Sequence, residues 1–140
     1  MDKYKLVEKR LRDIYLDEGY LNHLKRSLEI LEYEYGAKAV SYDSIGSSGD
    51  ISDNTGNLAT RLADKRTEIK IDILKVEHKI HYLHETIGRL THDEAEIIKM
   101  YYLKNYPIYK ISSELNASAA TIKRVKARAM KRLIRGLYGE

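Results

Sequence analysis

Apolar residues recur along this chain at intervals of three and four, the spacing of one helical face. Val7, Leu11 and Ile14, then Leu21, Leu24, Leu28, Leu31 and Tyr35, predict an amphipathic N-terminal helix over residues 1–35, rich in Leu, Glu, Lys and Arg. The phase slips between Ile14 and Leu24, so a kink near Gly19, or two shorter helices, is expected. Residues 36–56 then lose the pattern. Four glycines and the turn formers Ser47, Ser48, Asp50, Ser52, Asp53 and Asn54 predict a flexible linker. In 57–90 the pattern returns as Ile69, Ile73, Val76, Ile80, Leu83, Ile87 and Leu90, spaced alternately four and three apart, with Leu58 and Leu62 extending the face. A helix from Asn57 to Leu90 spans roughly 50 Å. Its narrow seam calls for another helix beside it, from the first helix folded back or from a second copy of the chain.

The last stretch, 91–140, reads as three shorter helices. Thr91-His92-Asp93-Glu94 is a capping box, in which the Thr91 hydroxyl accepts from the Glu94 N–H and Glu94 reaches back to the Thr91 N–H. A helix from Asp93 to about Leu103 should follow, with Ile97, Ile98, Tyr101 and Tyr102 inside. Pro107 suits a helix start, and Ile108–Leu115 forms the next helix. Asn116-Ala117 is a turn, and Ser118 caps a last helix running to about Leu137. Its inner face is Ile122, Val125, Ala129 and Leu133, with Ile111 and Leu115 opposite. A short helix, a tight polar turn and a longer basic helix make a helix-turn-helix. The expected fold is all-α: an extended N-terminal helical pair or coiled coil, then a C-terminal three-helix helix-turn-helix module.

Charge sharpens that reading. The chain of 140 residues has a net charge of +4, but Lys99 to Glu140 carries ten Lys/Arg against Glu114 and Glu140, a net of +8, and the remainder is at −4. The outer face of the last helix shows Lys123, Arg124, Lys126, Arg128, Lys131, Arg132 and Arg135, with no acid from Leu115 to Gly139. Like charges at helical spacing repel, so an anionic partner, duplex DNA, is expected there. The chain has no Cys, 12 Tyr, no Phe and no Trp. That removes disulfides, thiolate chemistry and Cys-bound zinc. With no apolar start and no long apolar run, a cytoplasmic protein with no membrane partner is expected.

The C-terminal third resembles region 4 of the sigma-70 factors. Leu90-Thr91-His92-Asp93-Glu94-Ala95-Glu96-Ile97-Ile98 looks like that family's opening, and Ile108 to Leu115 resembles its next helix, with Ser112 where Ala is usual. Ser118 to Arg124, and then Arg128 to Leu133, resemble its recognition helix and basic tail. The resemblance implies that Ala119, Ala120, Lys123 and Arg124 face base edges. The two alanines replace long polar residues, leaving methyl contact, such as to thymine, while Lys123 and Arg124 suit guanine or phosphate. Tyr109, Lys110, Thr121, Arg128 and Lys131 look like phosphate-positioning residues. The whole layout, with Val40-Ser41-Tyr42-Asp43 before the Gly46–Asp50 segment, is similar to the phage late-transcription regulators of the RinA and ArpU group. That likeness implies an activator of late phage genes in the bacterial host cell, working with host RNA polymerase on promoter DNA.

Other chemistry is poorly supported. His78, His81 and His84 recur every three residues, but on a helix the outer two diverge by about 120° and do not converge on one metal ion. His84-Glu85-Thr86-Ile87-Gly88 begins like a zinc-protease motif and ends in Gly. Gly46-Ser47-Ser48-Gly49 lacks the Lys and spacing of a phosphate loop, and Asp17-Glu18 and Asp93-Glu94 read as solvated or capping charge. No catalytic set, metal site or cofactor is expected, so the chain reads as a non-enzyme. The expected function is sequence-specific transcriptional activation, with a possible homodimer through the long helix. The alternatives are a DNA-packaging protein like a small terminase subunit and a coiled-coil adaptor that does not touch DNA.

Overall fold

The computed structural model describes residues 2–44 and 53–139, with the backbone alone for 37–44 and 53–56. The fold is all-α, and there is no strand among the described residues. Among the described residues six α-helices follow in order: α1 (Lys3–Arg12), α2 (Ile14–Ser44), α3 (Asp53–Gly88), α4 (His92–Ile98), α5 (Ile108–Leu115) and α6 (Ala119–Tyr138). A π-helical turn, Lys99–Leu103, extends α4.

The chain divides into two compact units, Met1–Asp17 with Lys79–Glu140, and Glu18–His78. The second unit holds most of α2 and α3 side by side. Lys25 pairs with Glu77 at 3.3 Å and Glu32 with Arg66 at 3.4 Å, so the helices run antiparallel. Leu24, Leu31 and Ile73 are buried between them. These exposed ion pairs add little stability and chiefly fix register. The seam predicted to need a partner is therefore covered by the chain's own first helices. Leu83 and Ile87 are buried in the first unit, while Ile69, Val76 and Ile80 are half-buried.

Three sequence expectations shift. The helix break falls at Asp13, where the backbone stays in the right-handed region (φ −85°, ψ 0°), and Gly19 lies inside α2. Val7, Leu11 and Ile14 keep one buried face across that break, which tethers both sides of it. The linker expected over 36–56 is helical to Ser44 and again from Asp53, because Gly36 sits at an exposed helical position that demands nothing special of its backbone. The Gly46–Asp50 segment lies outside the described residues. Lastly, the helix expected to reach Leu103 widens after Ile98 into the π-helical turn, closed by the Lys104 N–H to the Lys99 carbonyl at 2.9 Å. Asn105, left-handed at φ 55°, and Pro107 then end it.

The first unit joins α1 to the C-terminal helices. Val7, Leu11 and Ile14 pack with Leu83, Ile87, Ile98, Tyr102, Met130 and Leu133 in one core. Burying each aliphatic side chain contributes about 1.5–3 kcal/mol. A second, smaller core of Ile97, Met100, Ile111 and Ile122 lies under α5 and the start of α6. The basic module thus includes the N-terminal helix, beyond the 91–140 span that the sequence outlines.

Candidate nucleic-acid interface

The geometry of the interface begins at the turn between α5 and α6. Asn116 ends α5 in the left-handed region (φ 51°, ψ 43°), a conformation Asn tolerates. The Ser112 hydroxyl donates to the Ala117 carbonyl, and the Ala117 N–H returns to the Ser112 carbonyl at 3.2 Å. Ser112, where the resemblance leads one to expect Ala, thereby ties the turn. Ser118 caps α6, its hydroxyl accepting from the Thr121 N–H at 3.1 Å. With Ile111 and Ile122 both buried across the turn, the direction of α6 is set.

The residues expected to face bases, Ala119, Ala120, Lys123 and Arg124, lie exposed on the first turns of α6. On α5, Tyr109 is exposed, and Lys110 is exposed with its ammonium 3.9 Å from the centre of the Tyr106 ring. Thr121 is half-buried, its hydroxyl 2.8 Å from that of Ser118, so its side chain is occupied with the cap. Lys131 is exposed further along α6.

Arg128 is held differently from the other expected phosphate contacts. Glu94 is fully buried, and its Oε1 meets Arg128 Nε at 3.5 Å, Arg132 Nη1 at 3.2 Å and the Thr91 hydroxyl at 3.0 Å. The capping box forms only half as expected. The Glu94 N–H donates to Thr91 Oγ1 at 3.3 Å, but the Glu94 carboxylate takes the Thr91 hydroxyl and turns to the arginines instead of capping the Thr91 N–H. The charges of two arginines draw the carboxylate more strongly than one neutral backbone amide does. Glu94 Oε2 is buried and without a hydrogen-bond partner. The arginines are about half exposed, so part of their charge still faces outward.

Spacing alone does not reveal this pairing, since Glu94 and Arg128 lie on helices joined only by the fold. The same holds for Tyr102. Buried against α1, it donates to Glu8 at 2.7 Å, and burial, then this bond, push its phenol well above the ordinary tyrosine range. It therefore stays a donor at any physiological pH. Tyr82 likewise donates to the Gly136 carbonyl at 2.9 Å, pinning the far end of α6 to α3. His78, His81 and His84 all lie exposed on α3.

Residues 80–133 match the sequence model of sigma-70 region 4. The chain carries a sigma-70 region 4-like helix-turn-helix. The match runs from the last turns of α3 through α4, the π-helical turn and α5 into α6, less than half of the chain. No curated protein and no solved structure matches significantly. A helix-turn-helix of this type is a DNA-binding regulatory module, and among the described residues no helix is long and apolar enough to cross a membrane.

Proposed function

We propose that this protein is a sequence-specific transcriptional activator that docks α6 in the major groove of promoter DNA and acts with RNA polymerase on late phage genes. The observation that carries the reading is the exposed start of α6, where Ala119, Ala120, Lys123 and Arg124 stand together on a sigma-70 region 4-like scaffold. Lys123 and Arg124 supply long donors to guanine or phosphate, and the alanines allow close approach to a thymine methyl. Tyr109, Lys110 and Lys131 hold the flanking backbone. Arg128, steered by Glu94, contributes a weaker contact than a free arginine, and Thr121 contributes through its cap.

The RNA polymerase and late-gene parts of this reading rest on the resemblance of the whole layout to phage late regulators. A homodimer through the long helix belongs to the same reading, although one chain already buries Ile73, Leu83 and Ile87 without a second copy. Genome-wide occupancy in the bacterial host tests the assignment. Occupancy at a few promoters with increased transcription from them is the expected result. Occupancy confined to packaging sites, with transcription unchanged, contradicts it.

A further inference from the structure

Four cations from separate stretches of chain gather around tyrosine rings in the first unit. The Lys126 ammonium, on α6, lies 4.0 Å from the centre of the Tyr101 ring and 5.5 Å from that of Tyr102. From α1, the Arg12 guanidinium stands 5.9 Å and 5.4 Å from the same two rings, which meet edge to face at 82°. Lys110 and Lys104 sit 3.9 Å and 5.8 Å from the centre of the Tyr106 ring. Arg12, Tyr101, Asn105, Tyr106 and Pro107 line a shallow hollow of about 210 Å³ that opens to solvent.

Its chemistry is that of an anion site. A cation over an aromatic face is held by the ring quadrupole but keeps its charge and its outward donors. Among the described residues, none of these four is ion-paired with a carboxylate, whereas Arg128 and Arg132 are taken by Glu94 and Arg89 by Glu85. The acid one turn back on α1, Glu8, accepts from Tyr102. Side chains already held in place lose little freedom when a ligand arrives. Small-molecule sites are enclosed and typically about 300–1,000 Å³, so this open hollow suits a group presented on a larger partner. A phosphodiester offers the single negative charge and the paired oxygens that a guanidinium fork grips.

Position selects the partner. The hollow includes Tyr106 and Pro107, directly before α5, whose Tyr109 and Lys110 already lie on the proposed backbone-contacting edge. We propose that Arg12 and Lys126, seated on Tyr101 beside the Tyr106 ring with its two lysines, each grip a backbone phosphate of the same duplex that α6 enters, so that the N-terminal helix is part of the DNA footprint. This rests on the DNA-binding reading above and extends it to a residue far outside the helix-turn-helix.

The test uses the full-length chain with Arg12→Ala, Lys126→Ala and Arg12→Lys, titrated with salt from about 50 to 200 mM on a cognate and a random duplex. Each alanine variant should flatten the slope of log K against log salt by about 0.9, one phosphate contact. Its disadvantage should therefore shrink about threefold across that range, and equally on both duplexes. Arg12→Lys keeps the charge and should keep the slope. Circular dichroism checks the fold; if Arg12→Ala loses helicity, Lys126→Ala and Arg12→Lys carry the test. Unchanged slopes for both alanine variants, with Arg124→Ala still weakening binding, would overturn the proposal, leave the DNA reading standing, and point to an acidic polypeptide as the anion. If the unmodified chain fails to bind DNA at low salt, the DNA reading falls and the proposal falls with it.

Discussion

At the scale of single residues, Glu94 decides how two of the arginines on α6 are held. It is fully buried, and its Oε1 receives Arg128, Arg132 and the Thr91 hydroxyl. Removing its charge leaves two half-exposed arginines to water, which softens the penalty expected for a fully buried pair. Glu94→Gln should therefore lower stability by about 1–3 kcal/mol, read by denaturant unfolding. The same variant should bind random duplex more tightly than the unmodified chain, because Arg128 and Arg132 are released to phosphates. Weaker binding by a folded Glu94→Gln would show instead that Glu94 serves only to aim α6. Two glycines make a matched pair. A Cβ at Gly136 meets Thr86 Cγ2 at 2.8 Å, where Tyr82 also bonds the Gly136 carbonyl, while Gly19 lies at an exposed helical position with nothing within 4 Å. Gly136→Val should cost about 1–3 kcal/mol by overpacking, and Gly19→Ala should add up to about 1 kcal/mol by helix propensity. Unfolding curves of both variants check these opposite signs.

At the scale of elements, α6 carries two kinds of cation. Arg124 lies in its first turns beside Lys123, and Arg135 lies in its last turn. Arg124→Ala should cost about 1–3 kcal/mol on the cognate site and relax base preference there. Arg135→Ala should weaken all duplexes alike. Binding measured on a panel of single-base variants separates the two, and equal losses everywhere for both would show that α6 is not docked by its first turns. These elements were largely legible in the sequence. Thr91, Asn116 and Ser118 occupy caps and a turn whose chemistry is local, and Ile122, Ala129 and Leu133 repeat at helical spacing along α6, with Ile111 of α5 facing Ile122. The π-helical turn was not, because Lys99 to Leu103 has ordinary helix formers and the widening appears only as backbone geometry. Asp13 as the break, in place of Gly19, was hidden for a related reason: an exposed glycine permits a bend without requiring one.

At the scale of the whole chain, the sequence separates a basic end from a mildly acidic remainder, yet the folded basic unit recruits α1 from the other terminus. Pairings between distant segments, Tyr102 with Glu8, Glu94 with Arg128, Arg12 with Tyr101, carry no mark at the sequence level. Of the candidate interface, the residues on α5 and α6 could be named from pattern and resemblance. The diversion of Arg128 to Glu94 and the cations around Tyr101 and Tyr106 became visible only with the fold. The central claim is that this basic unit binds duplex DNA through its phosphates as well as its bases. Equilibrium binding of the full-length chain to duplex DNA across a salt series tests it most directly. With about four to six phosphates neutralised, log K should fall against log salt with a slope near −4 to −5. A flat salt dependence, or no binding at low salt, would contradict it.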